Sequence, residues 1–187
     1  MKRSSILGLG AIALIVAVPF VGKTPVLAGL QEAGEVIVQN IMRPKVQLKL
    51  VAKKKIVEVD TEGKENITWQ SLENKAIVKP GDTLRYTVKG ENSGEVEADN
   101  LMVTQPIPRA TMYILDSASN SNGATITYSI DNGETFIEQP TIEVTLEDGT
   151  VETKPAPASA YTHVRFEFPE ALDPKAVLEA SYDVTVR

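Results

Sequence analysis

Val78–Asn100, VKPGDTLRYTVKGENSGEVEADN, constrains the fold of this chain more than any other stretch. Pro80-Gly81 has turn chemistry: proline presets φ at the first central position, and glycine tolerates positive φ at the second. From Thr83 the residues alternate, with Leu84, Tyr86 and Val88 on one face and Arg85, Thr87 and Lys89 on the other. That period of two predicts a strand with one buried and one wet face. Asn92-Ser93-Gly94 then reverses the chain, and Leu101 and Val103 begin a second strand. The stretch therefore predicts one β-hairpin of a sandwich, with Tyr86 packed against Phe166 or Tyr182 from the closing strands.

The N-terminus has a different character. Lys2 and Arg3 precede Ile6–Val18, an apolar run of 13 residues broken only by Gly8 and Gly10. Pro19 ends the run, and Val26-Leu27-Ala28 supplies small residues at the −3 and −1 positions of a signal peptidase site. Residues 1–28 are thus expected to be a secretory signal peptide cut after Ala28. An uncleaved anchor is the competing reading, and the run falls short of the roughly 20 residues a bilayer span needs. The chain has no cysteine, which excludes a disulfide framework and a lipid-modified N-terminal cysteine. The expected location is extracytoplasmic: periplasm, cell surface or secreted.

Removing residues 1–28 takes away Lys2, Arg3 and Lys23 and no acid. The 19 basic residues fall to 16 against 25 acids, a net charge of −9. That balance repels nucleic acid and anionic membrane surfaces, so neither is an expected partner. Residues 29–43 predict a short N-terminal arm, and 44–187 a single domain large enough to be stable without disulfides or metals.

Alternation recurs through that domain. Val46, Leu48 and Leu50 alternate with Gln47 and Lys49; Lys53-Lys54-Lys55 then predict an exposed edge or a bulge. Ile67-Thr68-Trp69 reads as a short strand, with Trp69, the one tryptophan, expected in the core; a sugar-stacking platform is the sharper alternative. Pro106-Ile107-Pro108 is a rigid corner unsuited to a central strand. Thr125–Ile130 alternates up to the positive-φ turn Asp131-Asn132-Gly133, which leads to Phe136 and Ile137. Thr141–Leu146, with Ile142, Val144 and Leu146 inward, is expected to pair across Glu147-Asp148-Gly149 with Val151. Thr162–Phe168 and Ala180–Val186 are clear strands, and Asp173–Leu178 between them predicts one helical turn with Pro174 first. Eight to ten short strands with almost no 3.6-residue periodicity predict an all-β, immunoglobulin-like antiparallel β-sandwich over residues 44–187.

Val78–Pro108 also resembles the bacterial conserved-repeat domain, an immunoglobulin-like family of unassigned function found in envelope and surface proteins. The shared features are the Pro80-Gly81-Asp82 turn, Tyr86-Thr87-Val88, the Asn92-x-Gly94 reversal and a strand ending at Pro106. Tyr128–Phe136 and Pro155–Phe166 resemble the rest of a single-domain exported version, as in cyanobacteria and other Gram-negative bacteria. The resemblance implies a fold and an envelope location; it brings no catalytic residue. One copy without a sorting signal points away from a tandem stalk.

Chemistry is sparse. His163 is the one histidine, and the alternation places it with Arg165 and Glu167 opposite Val164, Phe166 and Phe168. Nucleophilic catalysis would need a serine or threonine beside His163 and a carboxylate behind it, and no nucleophile-elbow motif supplies them. Zinc lacks ligands. Asp131–Glu134 and Asp116–Asn122 are the candidate calcium loops, and both read first as turn chemistry. The expectation is therefore no catalytic, cofactor-binding or metal residues and no cofactor. The chain is expected to be a non-catalytic envelope module, structural or adhesive, binding envelope proteins or surface polymers through sheet edges and loops. The alternative is a small carbohydrate-active or hydrolytic envelope enzyme using His163 or a carboxylate pair.

Overall fold

The structure, a computed structural model, describes residues 15–17, 43–72 and 77–187, with the backbone alone for 15–17. Apart from these three residues and Arg43, the expected signal peptide of residues 1–28 and arm of residues 29–43 lie outside the described residues. In chain order the strands are β1 (Ile15–Ala17), β2 (Val46–Val59), β3 (Glu65–Ser71), β4 (Thr83–Asn92), β5 (Met102–Pro106) and β6 (Thr111–Tyr113). They continue with β7 (Ser119–Asn120), β8 (Thr125–Ser129), β9 (Thr141–Thr145), β10 (Val151–Pro155), β11 (His163–Glu167) and β12 (Val177–Val186). Every ladder among them is antiparallel. The protein is all-β, and helix among the described residues is confined to one 3-10 turn at Ala158–Ala160.

The larger sheet runs β3-β2-β4-β12-β6, with β7 also pairing β12, and the smaller runs β1-β5-β11-β8. Alternation explains how they meet. Leu84, Tyr86 and Val88 of β4 and Ala180, Tyr182 and Val184 of β12 are buried against Val103 of β5 and Val164 and Phe166 of β11. Tyr182 donates its hydroxyl to Pro106 O at 3.2 Å, tying the layers together, and the Tyr113, Tyr128 and Tyr161 rings cluster with centroids 5.2–5.4 Å apart. Burying this apolar face of each sheet is the main source of stability, at about 25 cal/mol per Å² removed from water. The pair β9–β10 forms a separate two-stranded sheet. Its Ile142, Val144 and Leu146 are only partly buried.

The strands flanking Asn92-Ser93-Gly94 do not pair with each other, which corrects the expected hairpin: β4 lies in the larger sheet and β5 in the smaller. Each strand buries its apolar face against the opposite layer, so the chain between them crosses from one layer to the other. Asn92, fully buried, organises the crossing. Its Nδ2 donates to Val96 O at 2.7 Å and Leu172 O at 2.8 Å, while its Oδ1 accepts from Gly94 N at 3.0 Å and Lys45 N at 3.3 Å. A Cβ on Gly94 would lie 2.7 Å from Lys45 N, so the close backbone approach requires glycine.

Three further expectations change. Lys53 and Lys54 form neither an edge nor a bulge, since β2 pairs with β3 on one side and β4 on the other there, whereas Lys55 pairs with β3 alone and lies on an edge. The β4 ladder ends at Lys54 opposite Leu84, and Lys54 Nζ bonds Asp82 Oδ2 at 2.6 Å, so the lysines sit at the rim of the shared ladder. Trp69 is half-buried outside the core, its ring 4.1 Å from the Arg85 guanidinium carbon. Residues 173–176 form a β-turn instead of a helical one. Ala176 N bonds Asp173 O at 3.0 Å, and Lys175 has φ 67°, the type II arrangement with Pro174 leading. The Lys79–Asp82 turn follows the same rule, with Gly81 at φ 91° and Asp82 N bonded to Lys79 O at 3.0 Å.

Candidate functional site

The chemistry-bearing side chains gather on the outer face of the smaller sheet. Register sets them in rows across the three strands: His163 lies opposite Ser129 and Pro106, and Arg165 opposite Thr127 and Thr104. The loop after β8 folds back over this face, because Ile137 exchanges both backbone hydrogen bonds with Tyr128, at 2.8 and 3.0 Å. Phe136 thereby reaches the face. The Arg165 guanidinium carbon lies 3.4 Å from its ring centroid, and the His163 ring meets it edge-on at 6.4 Å. Arg165 Nε also donates to Thr104 Oγ1 at 3.2 Å. The expected orientation of His163, Arg165 and Glu167, away from the core and toward solvent or a covering loop, holds; that Phe136 is the residue over Arg165 and His163 depends on where the loop returns.

Hydroxyls and a carboxylate lie near His163, and their hydrogen bonds decide what they can do. Ser129 Oγ donates to Asp131 Oδ1 at 2.7 Å and accepts from Gly133 N at 2.8 Å and Asp131 N at 3.2 Å. Asp131 takes further bonds from Glu134 N at 3.1 Å, from Thr135 N at 3.0 Å and from Thr135 Oγ1 at 2.5 Å. The Ser129 hydroxyl, then the Thr135 hydroxyl and amide, hold the Asp131 carboxyl far below the usual carboxylate range. Thr162 Oγ1 donates to Ser129 O at 3.1 Å, accepts from Asn132 N at 3.1 Å and lies 3.1 Å from His163 Nδ1. In that last contact the donor depends on the imidazole tautomer. Ser129 Oγ bonds Asp131 rather than the imidazole. The cluster acts as a clamp on the turn Asp131–Gly133, where Asn132 and Gly133 have φ of 61° and 92°.

Burial first, and the Arg165 charge second, lower the His163 pKa from its ordinary value, while the Asp131 charge acts the other way. The imidazole is thus neutral at pH 7. Among the described residues no His, Asp and Glu side chains gather in a group that could hold a metal ion. In both candidate calcium loops the side-chain oxygens cap backbone amides: Asp131 as above, and Asn120 Oδ1 for Ala124 N at 2.8 Å and Asn122 N at 3.2 Å.

Clefts also lie elsewhere among the described residues. One of about 780 Å³ runs over the outer strand surface beside Lys49, Lys89, Glu91 and Glu179, with Ser119 and Ser121 at its wall. A smaller one of about 440 Å³ is lined by Leu101, Phe168, Leu172 and Leu178 together with Ser121 and Asn122. The larger sheet also carries Trp69, Arg85 and Asp183 on its outer side. Arg85 grips Asp183 with Nε–Oδ1 at 2.7 Å and Nη2–Oδ2 at 2.8 Å, so the guanidinium is held above the indole. Beyond the end of β4, the β2–β3 ribbon projects with Val57, Val59 and Ile67 exposed. Among the described residues no helix is long and apolar enough to cross a membrane.

No family model, no curated protein and no solved structure matches this chain. The class is therefore defined by the coordinates alone: an all-β protein of antiparallel sheets packed face to face, whose one histidine belongs to a loop clamp.

Proposed function

We propose that the chain is an exported, non-catalytic cell-envelope module of the immunoglobulin-like type, related to the bacterial conserved-repeat domain, that binds or scaffolds through its sheet edges and loops. Its partners are envelope proteins or surface polymers. The observation that carries this reading is the hydrogen bond of Ser129 Oγ to Asp131 Oδ1 at 2.7 Å, which spends this hydroxyl and carboxylate on holding the Asp131–Gly133 turn. The projecting β2–β3 ribbon and the two-stranded β9–β10 sheet fit a protein that presents backbone and side chains to a partner. A screen of the purified protein on ester, peptide and glycan substrates, with a His163→Ala control, tests the reading. No turnover above the control is expected, and turnover that depends on His163 overturns it.

A further inference from the structure

One edge of β5 faces away from its ladder partner β11. Leu101 O accepts from Phe168 N at 2.9 Å and Ile107 N donates to Thr162 O at 2.8 Å, so the odd-numbered residues around β5 turn their peptide groups toward β11. Antiparallel alternation then turns the N–H and C=O groups of Met102 and Thr104 outward. Pro106 comes next in the outward row and has no N–H to offer, the placement that a strand proline requires. The edge is thus a short one, with two donor-acceptor positions ended by a proline.

Strand β1 lies on this edge. Ile15 is opposite Thr104, Val16 opposite Val103 and Ala17 opposite Met102, running antiparallel. Ile15 and Ala17 therefore face the outward-turned peptide groups. The three residues come from the apolar run Ile6–Val18, which the export reading removes at Ala28. The buried core residues, by contrast, lie between Val78 and Val186. Loss of β1 would leave the core in place and the Met102 and Thr104 groups without strand partners, a template for another chain.

We propose that the outer edge of β5 is a strand-acceptor site for an extended, apolar, β-branched polypeptide segment running antiparallel to it. Ile15–Ala17 fill the site in the full-length chain, and a segment of the same chemistry from a partner protein replaces them once the leader is cut. This rests on the exported-module reading, because cleavage is what empties the edge. Main-chain bonds to Met102 and Thr104 supply the affinity in such strand addition, and alternate side chains the selectivity.

The test uses the full chain with a protease recognition sequence placed after Ala28, cut only after folding, with the leader then removed. Amide hydrogen exchange is followed at Met102 and Thr104, with Val103 and Gln105, bonded to β11, as internal references. Cutting should accelerate exchange at Met102 and Thr104 at least about tenfold and leave the references unchanged. A synthetic peptide of residues 14–18 flanked by lysines should restore the protection. The same peptide carrying Ala17→Pro, which lacks a ladder N–H, should not. Unchanged exchange after cutting, failure of the first peptide, or equal protection by the second overturns the proposal. N-terminal sequencing of the native protein separates the two failures: an intact Met1 overturns the export reading whatever the amides do.

Discussion

Tyr86 and Tyr182 sit directly opposite one another on β4 and β12, rings stacked with centroids 5.5 Å apart, both fully buried. Their hydroxyls differ. That of Tyr182 bonds Pro106 O across the layers, whereas that of Tyr86 is buried with no hydrogen-bond partner among the described residues. Tyr86→Ala should cost about 3–5 kcal/mol through the cavity it leaves, and Lys89→Ala on the wet face should stay within about 0.5 kcal/mol. Tyr86→Phe removes an unsatisfied group and should hold or raise the melting temperature, whereas Tyr182→Phe should lose about 1 kcal/mol. Chemical denaturation of the four variants checks the order; a Tyr86→Phe loss as large as that of Tyr182→Phe would contradict it.

The crossing between layers rests on Asn92. Replacing it with alanine leaves Val96 O, Leu172 O, Gly94 N and Lys45 N without their side-chain partner, at a cost of at least about 2 kcal/mol. Ser93→Ala, one residue on and exposed, loses a single bond to Lys45 O and should be nearly silent. Equal melting temperatures for the two variants would show that the Asn92 network carries no load.

Alternation named Leu84, Tyr86, Val88, Val164, Phe166 and Phe168 as inward, and all six are buried, but Thr87, expected on the wet face, is buried as well. Alternation could not name neighbours. Which strand lies beside which depends on contacts far apart in sequence, such as Asn92 with Leu172, so the motif read as a hairpin is a passage between sheets. Trp69 was misplaced for a related reason: its size argued for the core, and the Arg85–Asp183 pair that lets it lie on the outer side is visible only after pairing. Pro174 did mark a turn, yet Val177 and Leu178 continue into β12, where pairing with Glu91 and Gly90 outweighs local helical preference. At the candidate site, period two placed His163 outward. The return of Phe136 across it needed the Tyr128–Ile137 bridge.

His163 should titrate below 6.5. Burial is the first cause, so the midpoint should stay depressed in an Arg165→Gln variant while moving partway up as the cation is lost. Asp131→Asn should move it further down, since the carboxylate favours the imidazolium. A folded-state pKa lowered in this way means that protonation destabilises the fold as pH drops below 6.5 toward the folded value, with no effect above it. Proton chemical shifts of the imidazole read the midpoint; a value above 6.5 in the wild type would contradict the burial account.

Alkaline pH acts on the tyrosines. Burial pushes Tyr86 up to about 12 and also raises Tyr128, Tyr161 and Tyr182 above the ordinary phenol value. Their contribution to stability is full below about pH 10, where the unfolded phenols ionise, and is lost as pH climbs through the folded values. The melting temperature should hold up to about pH 9.5 and then fall, with tyrosinate absorbance rising together with unfolding. Titration of all the tyrosines near 10 in protein that remains folded would contradict it.

The fold and the strand-acceptor edge both require β4 and β5 to belong to different layers, since a hairpin between them would cover the edge that β5 otherwise offers to an incoming strand. Cross-strand nuclear Overhauser contacts in the full chain test this most directly. Val88 should show backbone contacts to Ala180 and to Leu50, and Val103 to Phe166, as the ladders require. A ladder of such contacts between residues 83–92 and residues 102–106 would contradict the account.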